Sequence, residues 1–257
     1  MNPIKLYWSA SKPNVGDWLS PRIVQSFTAR PVEHSIANKC ELMSIGSILH
    51  KAKNHWWSPA IDIWGSGFMH DRKPSKLKHR VHAVRGKLTR DRILNAPDAA
   101  VGDPGLLVSS VFSEHASDKK KFSVGVIPHY CDKEDLALKQ FINCNPEVKF
   151  LDIFDGVESF ISQLTECQFI LSSSLHGLIM ADSFGIPNQW MVLSDKVEGK
   201  NFKFYDYYSV FDMPAPDFVT LEDFTFGDIE KVANDYQRPG IAEVKLALRS
   251  SFPLSYQ

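Results

Sequence analysis

The residues most suited to chemistry lie between positions 169 and 190, in the sequence FILSSSLHGLIMADSFGIPNQW. An apolar run, three serines, a Leu-His-Gly turn and then helical periodicity predict a buried strand, a sharp turn and a helix. The first turn of a helix presents unpaired backbone N–H groups and the positive end of its dipole, which suits phosphate or carboxylate. The residues predicted to line this anion site are Ser172, Ser173, Ser174, Leu175, His176 and Gly177.

Two histidines could supply acid–base chemistry at such a site. His176 lies in the predicted turn, and His129 follows another predicted strand, over 122–127. A histidine can move a proton near neutral pH. Strand–turn–helix units are nevertheless ordinary parts of α/β proteins, and serines cap helices with no ligand present. The residues alone leave a ligand site and a purely structural turn as equal alternatives.

Other candidate ligand groups follow other predicted strands. Gly65 and Gly67 would let the backbone approach a ligand closely, although no third glycine completes a dinucleotide fingerprint and a tight turn is the alternative. Arg85 follows the strand predicted over 80–84, and Arg90 lies five residues on. Guanidinium groups bind carboxylate or phosphate through paired hydrogen bonds, whereas a lone arginine is most often solvated.

The composition of the chain limits which classes of protein it could belong to. The chain has 257 residues, 44% hydrophobic content and a net charge of −1. It can bury a sizeable core, and it lacks the basic excess that marks nucleic-acid binding. Four cysteines without close pairing predict free thiols in a reducing compartment. No signal peptide or membrane-spanning run is apparent, so the expected location is cytoplasmic, with peripheral contact to the inner membrane face left open.

Strands alternate with helices on both sides of the polar segment SEHASDKKK, at 113–121. This pattern predicts an α/β fold of two Rossmann-like, doubly wound domains that face each other across a cleft. The predicted domains are 1–115 and 120–257, with the anion site in the second and the last helices packing back on the first. Ligands in such sheets bind beyond the carboxyl ends of the strands, which would bring 14–17, 65–68, 85, 128–130 and 172–177 to one rim.

The pattern also predicts the ends of several helices. One begins after Asp17, as N-cap, and continues to Phe27, and others are predicted over 87–94, 133–141 and 175–184.

Six segments in order, from about residue 5 to about residue 212, resemble the polysaccharide pyruvyl transferase family. Each is weak alone, but the ordered set is fairly specific. The segments are Asn14-Val15-Gly16-Asp17; Gly65-Ser66-Gly67-Phe68; Arg85-Gly86-Lys87-Leu88-Thr89-Arg90; Gly102-Asp103-Pro104-Gly105-Leu106-Leu107; Ile127-Pro128-His129-Tyr130; and 172–187.

The resemblance implies a GT-B-like pair of Rossmann-like domains, with the N-terminal domain on the acceptor side. It implies transfer of pyruvate from phosphoenolpyruvate to hydroxyls of a sugar in a surface or extracellular polysaccharide precursor, as a ketal, with release of phosphate. Phosphoenolpyruvate would be a co-substrate, with no cofactor and no metal. The partners would be phosphoenolpyruvate and a saccharide acceptor, with lipid linkage at the membrane face left open.

The resemblance also implies residue roles. His176 would be the general acid that protonates C3 of the donor, and His129 would be a base or a phosphate partner. The residues assigned to substrate binding are Asn14, Asp17, Gly65, Gly67, Arg85, Arg90, Ser172, Ser173, Ser174, Leu175, Gly177 and Lys203.

One position departs from the family pattern. The family often has Ser-Arg-Leu-His-Gly where this chain has Ser174 in place of the arginine. Another cation compensates, with Arg85, Arg90 and Lys203 as candidates, or the donor differs. The alternatives are therefore a GT-B glycosyltransferase that uses a nucleotide-sugar, and a non-catalytic glycan-binding relative. The acceptor sugar and the oligomeric state cannot be predicted from the sequence.

Overall fold

Two parallel β-sheets form the frame of the protein, seen in a computed structural model that describes residues 2–199, 201–213 and 216–257. The first sheet has the order β2-β1-β3-β4-β5-β6, with β1 (Ile4–Tyr7), β2 (Val32–His34), β3 (Leu42–Met43), β4 (Asp62–Trp64), β5 (Arg80–Val84) and β6 (Ala100–Val101). The second has the order β10-β9-β7-β8, with β7 (Phe122–Ile127), β8 (Val148–Phe150), β9 (Cys167–Ser172) and β10 (Asn188–Trp190). Every strand pair given for these sheets is parallel, so the α/β class is confirmed.

Helices connect the strands and cover the sheets. They are α1 (Val15–Gln25), α2 (Lys87–Arg90), α3 (Val108–Val111), α4 (Leu136–Cys144), α5 (Val157–Thr165), α6 (Leu175–Ser183), α7 (Phe202–Tyr208), α8 (Phe226–Asp235) and α9 (Ile241–Ser250). Short 3₁₀ turns lie at Leu49–Lys51, Pro104–Leu107, Ser113–His115, Ser209–Phe211 and Leu254–Tyr256. In α5 the buried side chains Val157, Phe160, Ile161 and Leu164 recur at helical spacing, which directs one apolar stripe to the core.

Three of the predicted helices have ends that differ from the sequence prediction by two or more residues. Helix α1 begins at Val15 because Asn14, rather than Asp17, is the N-cap: its side-chain oxygen accepts the Gly16 N–H at 2.9 Å. Asp17 therefore lies in the first helical turn. The helix predicted over 87–94 ends at Arg90, and the one predicted over 133–141 is Leu136–Cys144, three residues later. The latter begins there because Asp135 caps it.

The C-terminal helix α9 returns to the first sheet and contacts β6. The Trp64 indole N–H, at the end of β4, donates to the Leu248 carbonyl in α9 at 2.9 Å. Trp64 is fully buried and packs edge-on against Phe27 and Phe252. The Tyr256 hydroxyl, close to the end of the chain, donates to Asp62 in β4 at 2.8 Å. The last residues thus complete the packing of the first sheet.

We expect Trp64→Phe to lower the free energy of unfolding by about 1–3 kcal/mol, because the Leu248 carbonyl would lose its buried donor. Denaturant titration measures the change. Trp57→Phe is the matched control: Trp57 is 67% exposed, and the change should stay within about 0.5 kcal/mol. Equal effects of the two substitutions would contradict a specific role for the bond to α9.

Candidate active site

A cavity of about 370 Å³ lies where loops beyond the carboxyl ends of β1, β3, β5, β6, β7 and β9 meet. Both sheets therefore contribute to one site, as the strand-end rule for α/β proteins predicts. Eight of the residues predicted from the sequence line this cavity: Asn14, Asp17, Arg85, His129, Ser174, Leu175, His176 and Lys203. Other lining residues were not predicted as site residues, among them Ser47, His50, Lys51, Asp103 and Glu198.

Six predicted site residues are not among those that line the cavity: Gly65, Gly67, Arg90, Ser172, Ser173 and Gly177. Two of these serines support the site from behind. The Ser172 hydroxyl lies 3.0 Å from the Ile127 carbonyl and accepts the Ser174 N–H at 3.1 Å. The Ser173 hydroxyl accepts the His129 N–H at 2.8 Å, which fixes the histidine backbone to the end of β9. Ser173 also lines a neighbouring cavity of about 560 Å³ beside Trp190.

Glycines are required where the site side chains pack closely. A Cβ at Gly67 would lie 2.4 Å from Cζ of Arg85, and a Cβ at Gly16 would lie 2.0 Å from Nδ1 of His176. Both distances are far below van der Waals contact, so any side chain there would displace Arg85 or the imidazole ring. Gly67 therefore leaves space for the Arg85 guanidinium, and it is not among the residues that line the cavity.

Arg85 is fully buried and most of its donors are already used. Its Nε donates to Asp206 in α7 at 2.9 Å, Nη2 donates to the Phe68 carbonyl at 2.7 Å, and Nη1 donates to the Ser47 hydroxyl. Asp206 also accepts the backbone N–H and the hydroxyl of Thr89, each at 2.7 Å. Arg85 is thus a structural cation whose charge faces the cavity, and it is not the solvated arginine of the alternative reading.

Lys203 in α7 is the second buried cation of the cavity, with 7% of its surface exposed. Among the described residues its ammonium has no ion-pair partner within 4.0 Å. Burial and the nearby Arg85 lower the pKa of Lys203 to about 8. At neutral pH the group is mostly charged and short of counter-charge, which favours binding of an anion.

Burial is also the main cause of the lowered pKa values of the two histidines in the cavity. It lowers the pKa of His176 to about 3, with further lowering by Lys203 and Arg85. Burial, Lys203 and Lys12 lower the pKa of His129 to about 4. Both rings are therefore neutral near pH 7, and each has one nitrogen that donates and one that accepts. The Nδ1 atom of His129 lies 2.9 Å from the Cys131 sulfur.

Two carboxyl groups in the cavity, those of Asp17 and Asp103, have raised pKa values. Burial raises the pKa of Asp17 to about 7, opposed by Lys51 and Lys203. Burial raises the pKa of Asp103 to about 6. One oxygen of Asp103 accepts the Gly105 N–H at 2.9 Å, and the other is buried without a partner among the described residues. From the sequence, Asp103 was named only within a segment that resembles the family. Its position two residues after the end of β6 is the signal that could have found it.

The fold and the cavity define an α/β protein whose cationic site, at the strand ends, can bind a small anion and exchange protons with it. The chain belongs to the polysaccharide pyruvyl transferase family, whose sequence model matches residues 43–192.

Two relatives among known proteins give the extent of the similarity. The chain is 32% identical over 155 residues to uncharacterized protein L143 of Acanthamoeba polyphaga mimivirus, covering 58% of this chain and 54% of that protein. It is 24% identical over 208 residues to succinoglycan biosynthesis protein ExoV of Rhizobium meliloti (strain 1021), and this match covers 78% of this chain and 62% of that protein. The chain thus matches between half and two thirds of the length of these relatives. No solved structure matches it.

We expect Asp206→Asn to lower the free energy of unfolding by roughly 3–5 kcal/mol, because the fully buried Arg85 would lose its charged partner. Asp212→Asn is the control, since Asp212 pairs with Lys87 at the surface and its side chain is 83% exposed. That change should be less than about 1 kcal/mol. Denaturant unfolding of both variants measures the difference, and a small effect of Asp206→Asn would show that the buried pair does not hold the site together.

Proposed function

We propose that the protein transfers the pyruvyl group of phosphoenolpyruvate to hydroxyls of a sugar in a surface or extracellular polysaccharide precursor. The product is a pyruvate ketal, and phosphate is released. Membership of the family supports the transfer of a pyruvyl group. The observation that carries the choice of donor is a cavity in which two buried cations, Arg85 and Lys203, face two neutral histidines.

The donor suits this cavity by charge and by size. Phosphoenolpyruvate carries a carboxylate and a phosphate on the same carbon, so two anionic groups need cationic partners close together. Lys203 and Arg85 supply positive charge, and the N-terminus of α6, at Leu175 and His176, adds backbone N–H groups outside the helix's own hydrogen-bond ladder. Ser174, where the family often has arginine, lines the cavity beside them. We propose that Arg85 and Lys203 take over the arginine's charge; Arg90 does not line the cavity.

The chemistry requires one proton at C3 of the donor and two C–O bonds at C2. Two acceptor hydroxyls lose their protons, the C2–O bond to phosphate breaks, and one proton ends on C3 and the other on phosphate. His176 is neutral near pH 7, and the negative charge of a bound donor would raise its pKa, which favours uptake of a proton on binding. We propose His176 as the acid at C3 and His129 as the group that accepts a hydroxyl proton or contacts the phosphate. Asp17, with a pKa of about 7, is a second group able to carry a proton.

The proposal includes the finer architecture. We propose two GT-B-like domains, 1–115 and 120–257, with the donor held by the second and the acceptor entering on the side of the first. The separation of the strands into one sheet before residue 113 and one after residue 121 supports this division. His50 and Lys51, from the first half, lie at the same cavity as His176 from the second.

The scheme needs no metal ion. Among the residues that the structure describes, no three His, Cys, Asp or Glu side chains are grouped to hold one. We propose metal-independent transfer, and unchanged turnover after treatment with a chelator would agree with it.

The first test is turnover of phosphoenolpyruvate with a panel of neutral oligosaccharides, followed as released phosphate and as a mass increase of the product. His176→Asn should lower the rate about 10²–10⁴-fold while the fold is kept, because the proton donor at C3 is lost. His115→Asn, away from the cavity lining, is the control and should leave the rate unchanged. Turnover of UDP- or GDP-sugars instead of phosphoenolpyruvate would favour the glycosyltransferase reading. Binding of glycan without turnover of either donor would favour the non-catalytic one.

The second test uses the pH dependence of donor binding. Lys203 is charged below its pKa of about 8 and neutral above it, whereas the donor phosphate is already fully ionised above pH 7. Affinity for phosphoenolpyruvate should therefore fall roughly tenfold or more between pH 7 and pH 9.5. Lys203→Arg should remove the part of this pH dependence that comes from Lys203, because guanidinium stays charged, and leave the part due to Asp17 and His176. Lys203→Met should weaken binding at pH 7 and leave it close to the wild-type value at pH 9.5, where Lys203 is neutral. Calorimetric titration measures it, and equal pH profiles of wild type and Lys203→Arg would place Lys203 outside the donor site.

A further inference from the structure

Two tryptophans project from the surface of the first half of the chain. Trp56 is 88% exposed and Trp57 is 67% exposed, so both large apolar rings face solvent side by side. Their ring centroids are 5.6 Å apart, edge to face, and the His55 ring stacks on Trp57 at 4.8 Å. Single exposed apolar side chains are common, but adjoining exposed aromatic rings mark an interaction surface. We call residues 53–58 the tryptophan loop.

A cationic segment holds this loop in place. Residues 72–78, the basic segment, contain four Lys or Arg residues and no acidic residue. Asn54 donates to the Lys76 carbonyl at 2.8 Å and accepts the Lys78 N–H at 2.9 Å, while the Lys78 ammonium donates to the His55 carbonyl at 2.6 Å. These bonds set the indole rings beside a row of lysines.

The positive charge is local. Residues 51–80 contain seven Lys or Arg and two Asp, a net charge of +5 in a chain whose net charge is −1. Asp62 is buried and bonded to Arg80 and His82, and Asp71 is paired with Arg92. Neither carboxylate therefore neutralises Lys53, Lys73 or Lys76.

We propose that the tryptophan loop and the basic segment together dock the protein on an anionic lipid bilayer. Indole rings prefer the interface between headgroups and acyl chains, and lysines close to an anionic leaflet add attraction that salt screens. Both features occur in one surface. Among the described residues, no helix is long and apolar enough to cross a membrane. An anionic polysaccharide is the competing occupant, and its binding is an outcome of the test below.

The tryptophan loop and the basic segment lie close to the cavity that we assign to the donor. The Leu49–Lys51 turn precedes the tryptophan loop, and both His50 and Lys51 line the cavity that we assign to the donor. His50 also borders a second groove, with Arg72 and Lys73 of the basic segment. Docking through this surface would bring the mouth of the cavity to an acceptor carried by a membrane lipid. That consequence rests on the proposed function, whereas the binding to lipid does not.

The test is flotation of the full chain with vesicles of phosphatidylcholine alone and of phosphatidylcholine with 30 mol% phosphatidylglycerol, on the order of the anionic content of charged membranes. We expect binding to the anionic vesicles only, weakened by added salt, with quenching of tryptophan fluorescence by brominated lipid. Trp56→Ala/Trp57→Ala and Lys53→Glu/Lys73→Glu/Lys76→Glu should each lower the bound fraction at least tenfold. Phosphate release with a soluble acceptor should stay at the wild-type level in both, so failure of docking and failure of the proposed function are distinguishable.

Matched controls remove the same kinds of side chain elsewhere. Leu136→Ala/Leu246→Ala removes two exposed apolar side chains, and Lys119→Glu/Lys196→Glu/Lys231→Glu reverses three exposed charges. Both control variants should bind vesicles as the wild type does. No binding to anionic vesicles at low salt, equal losses in the control variants, or binding to a soluble anionic polysaccharide in place of vesicles would each overturn the proposal.

Discussion

The buried ion pair between Arg85 and Asp206 is the interaction on which the rest of the site depends. It joins the end of β5 in the first sheet to helix α7, across 121 residues of sequence. Asp206 also accepts two hydrogen bonds from Thr89, and a Cβ at Gly86 would lie 1.7 Å from the Asp206 carbonyl oxygen, so the two backbones nearly touch. Because α7 is held so closely, Lys203 near its start reaches the same cavity as Arg85.

Burial and these two cations together set the protonation of His176. Burial lowers the pKa of the imidazole most, and the charges of Lys203 and Arg85, acting through a poorly screening interior, lower it further, so the ring is neutral near pH 7. Lys203 has no ion-pair partner among the described residues, so its charge favours an anion in this cavity. A bound anion would offset the repulsion between Lys203 and Arg85 and would raise the affinity of His176 for a proton in the same event. In the proposed transfer, donor binding and activation of the acid would be one process rather than two, which suits a reaction that must protonate carbon only when the donor is present.

The sequence predicted the elements whose signals are local. The strands Arg80–Val84 and Phe122–Ile127 were predicted with their observed ends, because apolar runs there meet a turn at once. The turn before α6 was also predicted, and Ser174 and His176 line the cavity. Helix α7 was not predicted, because its sequence FKFYDYY is aromatic, with weak helix propensity and no caps.

Contacts between residues that are far apart in the sequence could not be predicted from local patterns. Asp206 was missed because its partners, Arg85 and Thr89, are more than 115 residues away and nothing local marks it as buried. Arg90 and Arg85 were both offered as anion ligands, since they look alike in the sequence. Tertiary packing separates them: Gly67 leaves space for the Arg85 guanidinium, while α2 ends at Arg90 away from the cavity lining. Local sequence patterns thus predict where turns lie. Which charged side chains line the cavity depends on which helices pack beside it, and that cannot be read from local sequence.

The same principle accounts for Ser174. This residue is 4% exposed at the cap of α6, in a cavity that already holds Arg85, which is paired with Asp206, and Lys203, which has no ion-pair partner among the described residues. An arginine in its place would add a third desolvated cation to about 370 Å³, and its charge would need an anion present at all times. A small hydroxyl avoids that repulsion and leaves room for the donor. In the proposed function, α7 and the residue after β5 therefore supply the positive charge that the family's arginine would supply from the turn, and donor binding depends on the net charge of the cavity rather than on the residue at one position.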